Sequence, residues 1–334
     1  MIRSFTLRDI PLVYRLGDQG TLFHTRSALT QDLWPLREAL VNMFIGGQYP
    51  TYIWKDDNGS AVGFAQLHQV GDESTAHIMS IGSAFSAGAN KDGAEVDTEN
   101  LWIAFLESLI KKAGGRGIHN LIAEVDEIGD ELPVMRHAGF AVYTRQDIWK
   151  LASLPPRWVS PLTLEPATSE DEWDISLLYS NVVPRIIQLV EPPPSSDELD
   201  KIWLMRENGE LSGFVLFTRG STGTWIRLFV HPNSNARSED IFRAAVSVYP
   251  PDEDHPIYVC VRRYQSWLQS GLQEVGFEQT GSQAMMVRHT VNHTKRMVPD
   301  LSKEVRKKAV AVKQTMQTED TLFTKEESFL SKKD

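Results

Sequence analysis

The chain has 334 residues, with 34 basic against 44 acidic side chains and a net charge of −10. At roughly 150 residues per domain that length suggests two domains, and 41% hydrophobic residues with 22 glycines are ordinary for a globular protein. Acidity without a long Lys/Arg block argues against nucleic-acid binding, because phosphate neutralisation needs clustered positive charge. No apolar stretch approaches the roughly 18–20 residues that span a bilayer, and Met1 to Asp9 lacks the apolar run of a secretory leader. One cysteine, Cys260, permits no internal disulfide and no Cys-rich zinc site. The expectation is a cytoplasmic protein without membrane or nucleic-acid partners.

Taken in chain order, the pattern repeats itself. Tyr52-Ile-Trp-Lys and Gly63-Phe64-Ala-Gln-Leu read as two strands joined by a turn containing Gly59. Ala76–Ile81 reads as a strand, followed by an insert from Ser83 to Asp97. Trp102, Phe105, Leu106, Leu109 and Ala113 then fall at helical spacing, and Ala113-Gly114-Gly115 ends that helix. Gly114-Gly-Arg-Gly117 therefore reads as helix termination, since a phosphate loop opens a helix rather than following one. Leu121–Val125 is the next strand, and Ala138-Gly139-Phe140 follows a helix-length segment. A helix flanked by two strands is a βαβ-like unit, which implies a mixed sheet covered by helices.

The same order returns further on. Ile202-Trp-Leu-Met leads through Asn208-Gly209 to Gly213-Phe214-Val-Leu-Phe, with Gly213 placed 150 residues after Gly63. Ile257–Val261 and Val275-Gly276-Phe277 match Leu121–Val125 and Ala138-Gly139-Phe140, with Gly276 placed 137 residues after Gly139. Each Gly-Phe pair is followed six residues later by a glutamine, Gln146 and Gln283. These anchors divide the chain into a first domain at 1–153, a Pro-rich linker at 154–161, a second domain at 162–291 and a charged tail at 292–334. Prolines at Leu154-Pro-Pro-Arg-Trp-Val-Ser-Pro161 block helix and central strand alike. Within the tail, Leu301 to Gln317 has the pattern of an exposed helix, and its basic residues, interleaved with acids, read as a solvated face or a partner-binding segment.

The order of Gly-x-x-x-Gly-Phe hairpin, strand, long helix, strand, short helix and Gly-Phe strand resembles the GNAT superfamily of acyl-CoA-dependent N-acetyltransferases. Two copies resemble its tandem members. Leu228-Phe-Val-His-Pro232 is similar to the end of the family's fourth strand, and Gln265 stands where the family usually has Asn. The resemblance covers roughly residues 1–150 and 160–290. It implies an α/β fold of two GNAT-like domains, each a mostly antiparallel twisted sheet with a central, splayed pair of parallel strands and flanking helices. It also implies acetyl-CoA wedged in the splay, against Ile81 and Gly82 in one repeat or Phe229 and Val230 in the other, with Ser238 at the start of the following helix. The implied reaction moves an acyl group from acetyl-CoA to the amine of a small-molecule or peptide acceptor, held by loops at 17–30 and 181–196.

Two features of the family are missing from both copies. The Arg/Gln-x-x-Gly-x-Gly/Ala pyrophosphate loop works because small residues let backbone N–H groups and a helix dipole meet phosphate oxygens. Here His231 to Phe242 contains no glycine, and Ser238 reads as a helix cap with Glu239 and Asp240 in the first turn. A carboxylate about 4 Å from a phosphate oxygen costs about 4 kcal/mol at intermediate dielectric. In the first copy Asn100 and Trp102 take the two glycine positions. The family's tyrosine acid, four residues before Gly-Phe, is replaced by Met135 and Leu272, and Tyr143 and Tyr264 lie in other registers. The alternative to an acyltransferase is thus a catalytically silent module that binds a ligand or protein in the old cleft, with Trp102 or Phe242 as the plug.

Alternation in Ile122-Ala-Glu-Val-Asp126 puts Glu124 on one face of an otherwise apolar strand, where it serves either as a base for the acceptor ammonium or as the partner of an Arg or Lys. Cys260 matches Glu124 in the second repeat and reads as a small core residue. His231 before Pro232 ends a strand or contacts substrate. His68, His77 and His119 share no ligand spacing, so no metal site is expected.

Overall fold

The computed structural model describes residues 1–290 except 58, 60–61, 70–73, 85–97 and 157. The helix expected at 301–317, the charged tail and most of the insert at 83–97 lie outside the described residues.

The first repeat runs β1 (Ile2–Ser4), α1 (Ile10–Gly17), β2 (Thr21–Leu22), α2 (Thr25–Thr30), α3 (Pro35–Ile45), β3 (Thr51–Lys55), β4 (Val62–His68), β5 (Thr75–Ser83), α4 (Thr98–Gly114), β6 (Asn120–Asp126), α5 (Glu131–His137) and β7 (Ala141–Leu151). The second runs β8 (Glu165–Pro166), α6 (Glu172–Val182), α7 (Arg185–Gln188), β9 (Ile202–Glu207), β10 (Glu210–Arg219), β11 (Thr224–Val230), α8 (Ser238–Val248), β12 (Ile257–Arg262), α9 (Gln269–Val275) and β13 (Glu278–His289). The β9–β10 hairpin turns on Asn208 and Gly209, both at positive φ, the geometry that a two-residue turn between twisted strands requires. The C-terminal end of α4 closes at Gly114, with Gly117 at φ +85° and Ile118 N–H donating back to the Ala113 carbonyl, so the glycine run terminates a helix as its position implied.

Among the described residues the strands form one mixed sheet in the order β1-β3-β4-β5-β6-β13-β7-β12-β11-β10-β9-β8, with β2 joined to β5. The two repeats exchange their last strands. β13 pairs antiparallel with β6, β7 pairs antiparallel with β12, and the two exchanged strands pair with each other. Gln146 and Gln283 meet in that ladder, where the Gln146 amide donates to Gln283 Oε1 at 2.8 Å. The pair of glutamines that marked the repeat in the sequence therefore marks the meeting of the repeats in space.

Apolar residues at helical spacing bind α4 to the sheet: Phe105, Leu106, Leu109 and Ala113 are fully buried against Leu121, Ala123 and Val125 of β6. In the second repeat Ile241, Phe242 and Ala245 of α8 pack on Val259 and Val261 of β12 in the same way. The ladder register carries one face from Ala284 through Arg145 to Trp149, so α4, α5, α8 and α9 share a face of the sheet. The opposite face is covered by α1 and α3 over Ile53 and Phe64 and by α6 and α7 over Phe214, Phe229 and Met285. Glu124 projects toward this second face, since its neighbour Ile122 packs there with Tyr179 and Val287.

Candidate functional site

Each repeat contains one pair of parallel strands that parts. β5 and β6 pair only from Thr75–His77 against Asn120–Ile122, and β11 and β12 only from Thr224–Arg227 against Ile257–Cys260. Beyond those points the backbones diverge and their N–H and C=O groups need other partners. In the first repeat the partner is the chain itself. β2 lies antiparallel to β5 with Thr21 opposite Ile81 and Leu22 opposite Ser80. Phe23 then bridges the gap: its N–H donates to the Met79 carbonyl at 2.9 Å, and its carbonyl accepts the Glu124 N–H at 2.8 Å. Gly82 is required by this arrangement, because a Cβ there would lie 2.7 Å from the Leu16 carbonyl oxygen and 2.3 Å from Phe64 Cε1.

In the second repeat a side chain enters the gap. The Gln265 amide donates to the Leu228 carbonyl at 3.2 Å, buried. The following helix start is also occupied. Ser238 is the first helical residue, Arg237 holds the cap position without a side-chain cap bond, and Arg237 Nε donates to Asp240 Oδ2 at 2.9 Å. This corrects the expectation that Ser238 caps the helix: charge pairing around Asp240 organises the first turn instead. A Cβ on Gly271 would lie 2.4 Å from Ser238 Oγ and 2.6 Å from Glu239 N, so α9 abuts the N-terminus of α8 directly.

Across the second face of the sheet runs a stripe of polar side chains set by ladder register. His68 of β4 is opposite His77 of β5, His77 is opposite Ile122, and Glu124 lies two residues on. On the other side of the exchanged strands, Arg262 is opposite Gln146 and Arg227 is opposite Cys260. The loops at 17–30 and 181–196 close over this stripe, the first with His24 and Arg26 and the second with Glu191. Glu124 is 6% exposed, and its Oε2 accepts the Thr25 backbone N–H at 2.8 Å at the start of α2. Burial raises its pKa, and among the described residues no cation lies in ion-pair contact with it. Burial also holds the imidazoles neutral: His24 falls well below its usual range, His77 to about 3 and His68 to about 4, with Arg26 adding to each.

Glu191 is the anionic centre of the stripe's other half. Arg262 Nη2 donates to its Oε1 at 2.7 Å, Arg227 Nη2 to its Oε2 at 2.9 Å, and Tyr143 Oη to its Oε1 at 2.6 Å. Burial pushes this carboxylate up, but Arg262 and Arg227 outweigh burial and bring it down to about 2. Arg262 is 5% exposed, and its Nε and Nη1 are buried without a hydrogen-bond partner. Such orphaned donors are uncommon in a folded interior and cost about 1–3 kcal/mol each, more when charged.

Neither a protein-family model nor a curated protein matches the sequence. Among solved structures the chain is similar to a GCN5-related N-acetyltransferase from Sphaerobacter thermophilus, at 12% identity and a TM-score of 0.52, over 87% of this chain and 96% of that one. It is also similar to a GCN5-related glucosamine N-acetyltransferase region of a fungal multi-domain GH3 β-N-acetylglucosaminidase, at 12% identity and a TM-score of 0.51. That match covers 86% of this chain and 38% of the other. This is the GCN5-related N-acetyltransferase fold.

Within that fold the cofactor implied is an acyl-CoA, and the residues of the first repeat do not fit it. Ile81, expected to hold the pantetheine arm, is in register with Thr21 of β2, and Gly82 is packed by Leu16 and Phe64. In the second repeat Phe229 and Val230 pair with Phe214 and Gly213 of β10, on the edge of β11 away from the gap. A pyrophosphate at the start of α8 would meet Glu239 and Asp240 rather than open N–H groups. The plugs are not Trp102 or Phe242, which lie in the cores beneath α4 and α8. Backbone fills the first cleft instead. Met135 and Leu272 are core residues as their apolar character implies, and Tyr143 is engaged by Glu191. Cys260 is 5% exposed, donates to Gln146 Oε1 at 2.9 Å, and has its thiol pushed up to about 11 by burial. His231 follows the end of β11, and its Nδ1 accepts the Asn233 N–H at 3.2 Å.

Sequence reasoning named Glu124 but missed His24, Arg26, Glu191, Arg227 and Arg262. The signal used for Glu124 was available for the two strand arginines: Arg227 sits in Thr224-Trp-Ile-Arg-Leu-Phe-Val230 and Arg262 ends Ile257-Tyr-Val-Cys-Val-Arg262, both otherwise apolar.

Proposed function

We propose that this protein binds a small anionic ligand on the polar stripe of an acetyltransferase fold and does not transfer acyl groups. The observation that carries the reading is the seat of β2, which takes the backbone positions of β5 and β6 that an extended pantetheine would need. The ligand's charge follows from Arg262, whose buried Nε and Nη1 await an acceptor, with Arg26 on the same face. Nη2 of Arg262 is taken by Glu191, and the remaining Nε–H and Nη1–H point to different sides of the guanidinium, each offering one charge-assisted hydrogen bond to a carboxylate or phosphate oxygen.

One observation favours a second reading, acetyl transfer to a small-molecule or peptide amine in the second repeat: no strand of the chain enters the gap between β11 and β12 among the described residues. Calorimetric titration of the full chain with acetyl-CoA and CoA separates the two. Absence of heat at millimolar ligand is expected. Micromolar affinity, about −8 kcal/mol, overturns the proposal in favour of acyl transfer.

A further inference from the structure

The seat of β2 does more than close a cleft. By bonding to Met79 and Glu124 through its backbone, Phe23 fixes the next residue, His24, above the row that holds His77 and Glu124. His24 is 2% exposed and its ring centroid lies 4.8 Å from that of His77. One ligand atom from each of His24, His77 and Glu124 lies within 4.8 Å of the others, three residues brought from β5, β6 and the loop before α2. No spacing in the sequence announces such a group, since its members are separated by 53 and 47 positions.

We propose that His24, His77 and Glu124 form a binding site for a divalent first-row transition metal. Two imidazoles and one carboxylate are the donor set that suits zinc, or iron(II) in a facial arrangement with open positions. A tetrahedral ion with bonds of about 2.0–2.1 Å places its ligands roughly 3.4 Å apart, so the side chains close on the ion by rotation. The supporting contacts are in place. Nδ1 of His24 lies 2.7 Å from Ser27 Oγ, which orients the ring and leaves Nε2 for the ion, while Nδ1 of His77 is buried without a partner. Glu124 is anchored at Oε2 by the Thr25 N–H. A third imidazole, His68, stands 5.7 Å from His24 between ring centroids. Arg26 and Arg262 share this face, so the ion's open position favours an anion there over a second cation.

The site does not depend on whether acyl transfer occurs. It is tested with the full chain after chelator treatment, by following cobalt(II) absorption and zinc(II) competition. The expected result is one equivalent of cobalt(II) with the visible bands of a four- or five-coordinate site, displaced by zinc(II). Glu124→Gln and His77→Ala each weaken uptake at least tenfold, Ser27→Ala weakens it about tenfold, and His119→Ala, an exposed histidine outside the group, leaves it unchanged. Absence of uptake by the unaltered chain overturns the proposal and needs no variant to fold. Uptake that survives Glu124→Gln, or that is lost with His119→Ala, overturns it equally.

Discussion

Replacement of Glu191 by Gln removes one charge and leaves the shape. The buried Arg262 and the partly buried Arg227 then remain without their carboxylate, and breaking a buried ion pair costs about 3–5 kcal/mol. The pH dependence of the unaltered protein gives an independent figure. Glu191 has a folded pKa of about 2, against about 4.3 for an unfolded glutamate. Its folded value is depressed, so its contribution is fully present above the unfolded pKa and is lost as pH falls through the folded one. The difference corresponds to roughly 3 kcal/mol at neutral pH, of which about 2 kcal/mol is gone by pH 3. Urea unfolding of both proteins at intervals from pH 7 to pH 3 measures the gap directly. A gap of roughly 3 kcal/mol at pH 7 that narrows by about 2 kcal/mol at pH 3 is expected. A gap that stays constant across the range, or that is below about 1 kcal/mol at pH 7, refutes the assignment of Glu191 as the charge that holds the two arginines.

Gly220→Ala tests the contact between the β10–β11 turn and α2, because its Cβ would lie 1.8 Å from the Thr30 carbonyl oxygen that accepts the Thr222 N–H. A loss of about 1–3 kcal/mol in thermal or urea unfolding is expected, while Gly281→Ala, with open space around its Cβ, stays within about 0.5 kcal/mol. Cys260 is expected to react with a thiol reagent at pH 8 about 100-fold more slowly in the native protein than in urea, from its raised pKa alone, and more slowly still from burial. Equal rates in the two states would show the thiol to be accessible.

The repeats, the parallel pairs and the glycine-terminated helix were legible because each rests on local pattern: apolar periodicity, Gly-Phe spacing and turn residues. Glu124 was legible for the same reason, as one charge in an apolar strand. The polar stripe was not, because its members meet only through sheet register and strand exchange. His24 and Glu124 are brought together by two backbone bonds of Phe23, and nothing in Thr21-Leu-Phe-His24 distinguishes a gap-filling strand from a surface loop. Arg262 and Glu191 meet because β12 ends beneath the loop after α7, a long-range contact that no short window contains. The sequence reading of the helix start at Ser238 as a poor phosphate site rested on its first-turn carboxylates. Those carboxylates are present, yet the approach of Gly271 removes the space as well.

The stripe also shows why its function belongs to the pair of repeats. His24, His77 and Glu124 come from the first repeat, Glu191, Arg227 and Arg262 from the second, and between them lie β13 and β7, each donated across. A fragment of residues 1–153 keeps β6 and β7 but loses β13 from between them and β12 from the far side of β7, so Glu124 loses its cross-strand neighbour Met285 and three strand edges are left open. Expressed alone, each half is expected to aggregate or to unfold without cooperativity. Expressed together, the halves are expected to associate with one another and unfold in a single transition, because each carries the strand the other lacks. A monomeric 1–153 fragment that unfolds cooperatively would mean that β6 and β7 can pair directly. The strand exchange would then be a dispensable embellishment, and each half would have to be judged as a site in its own right.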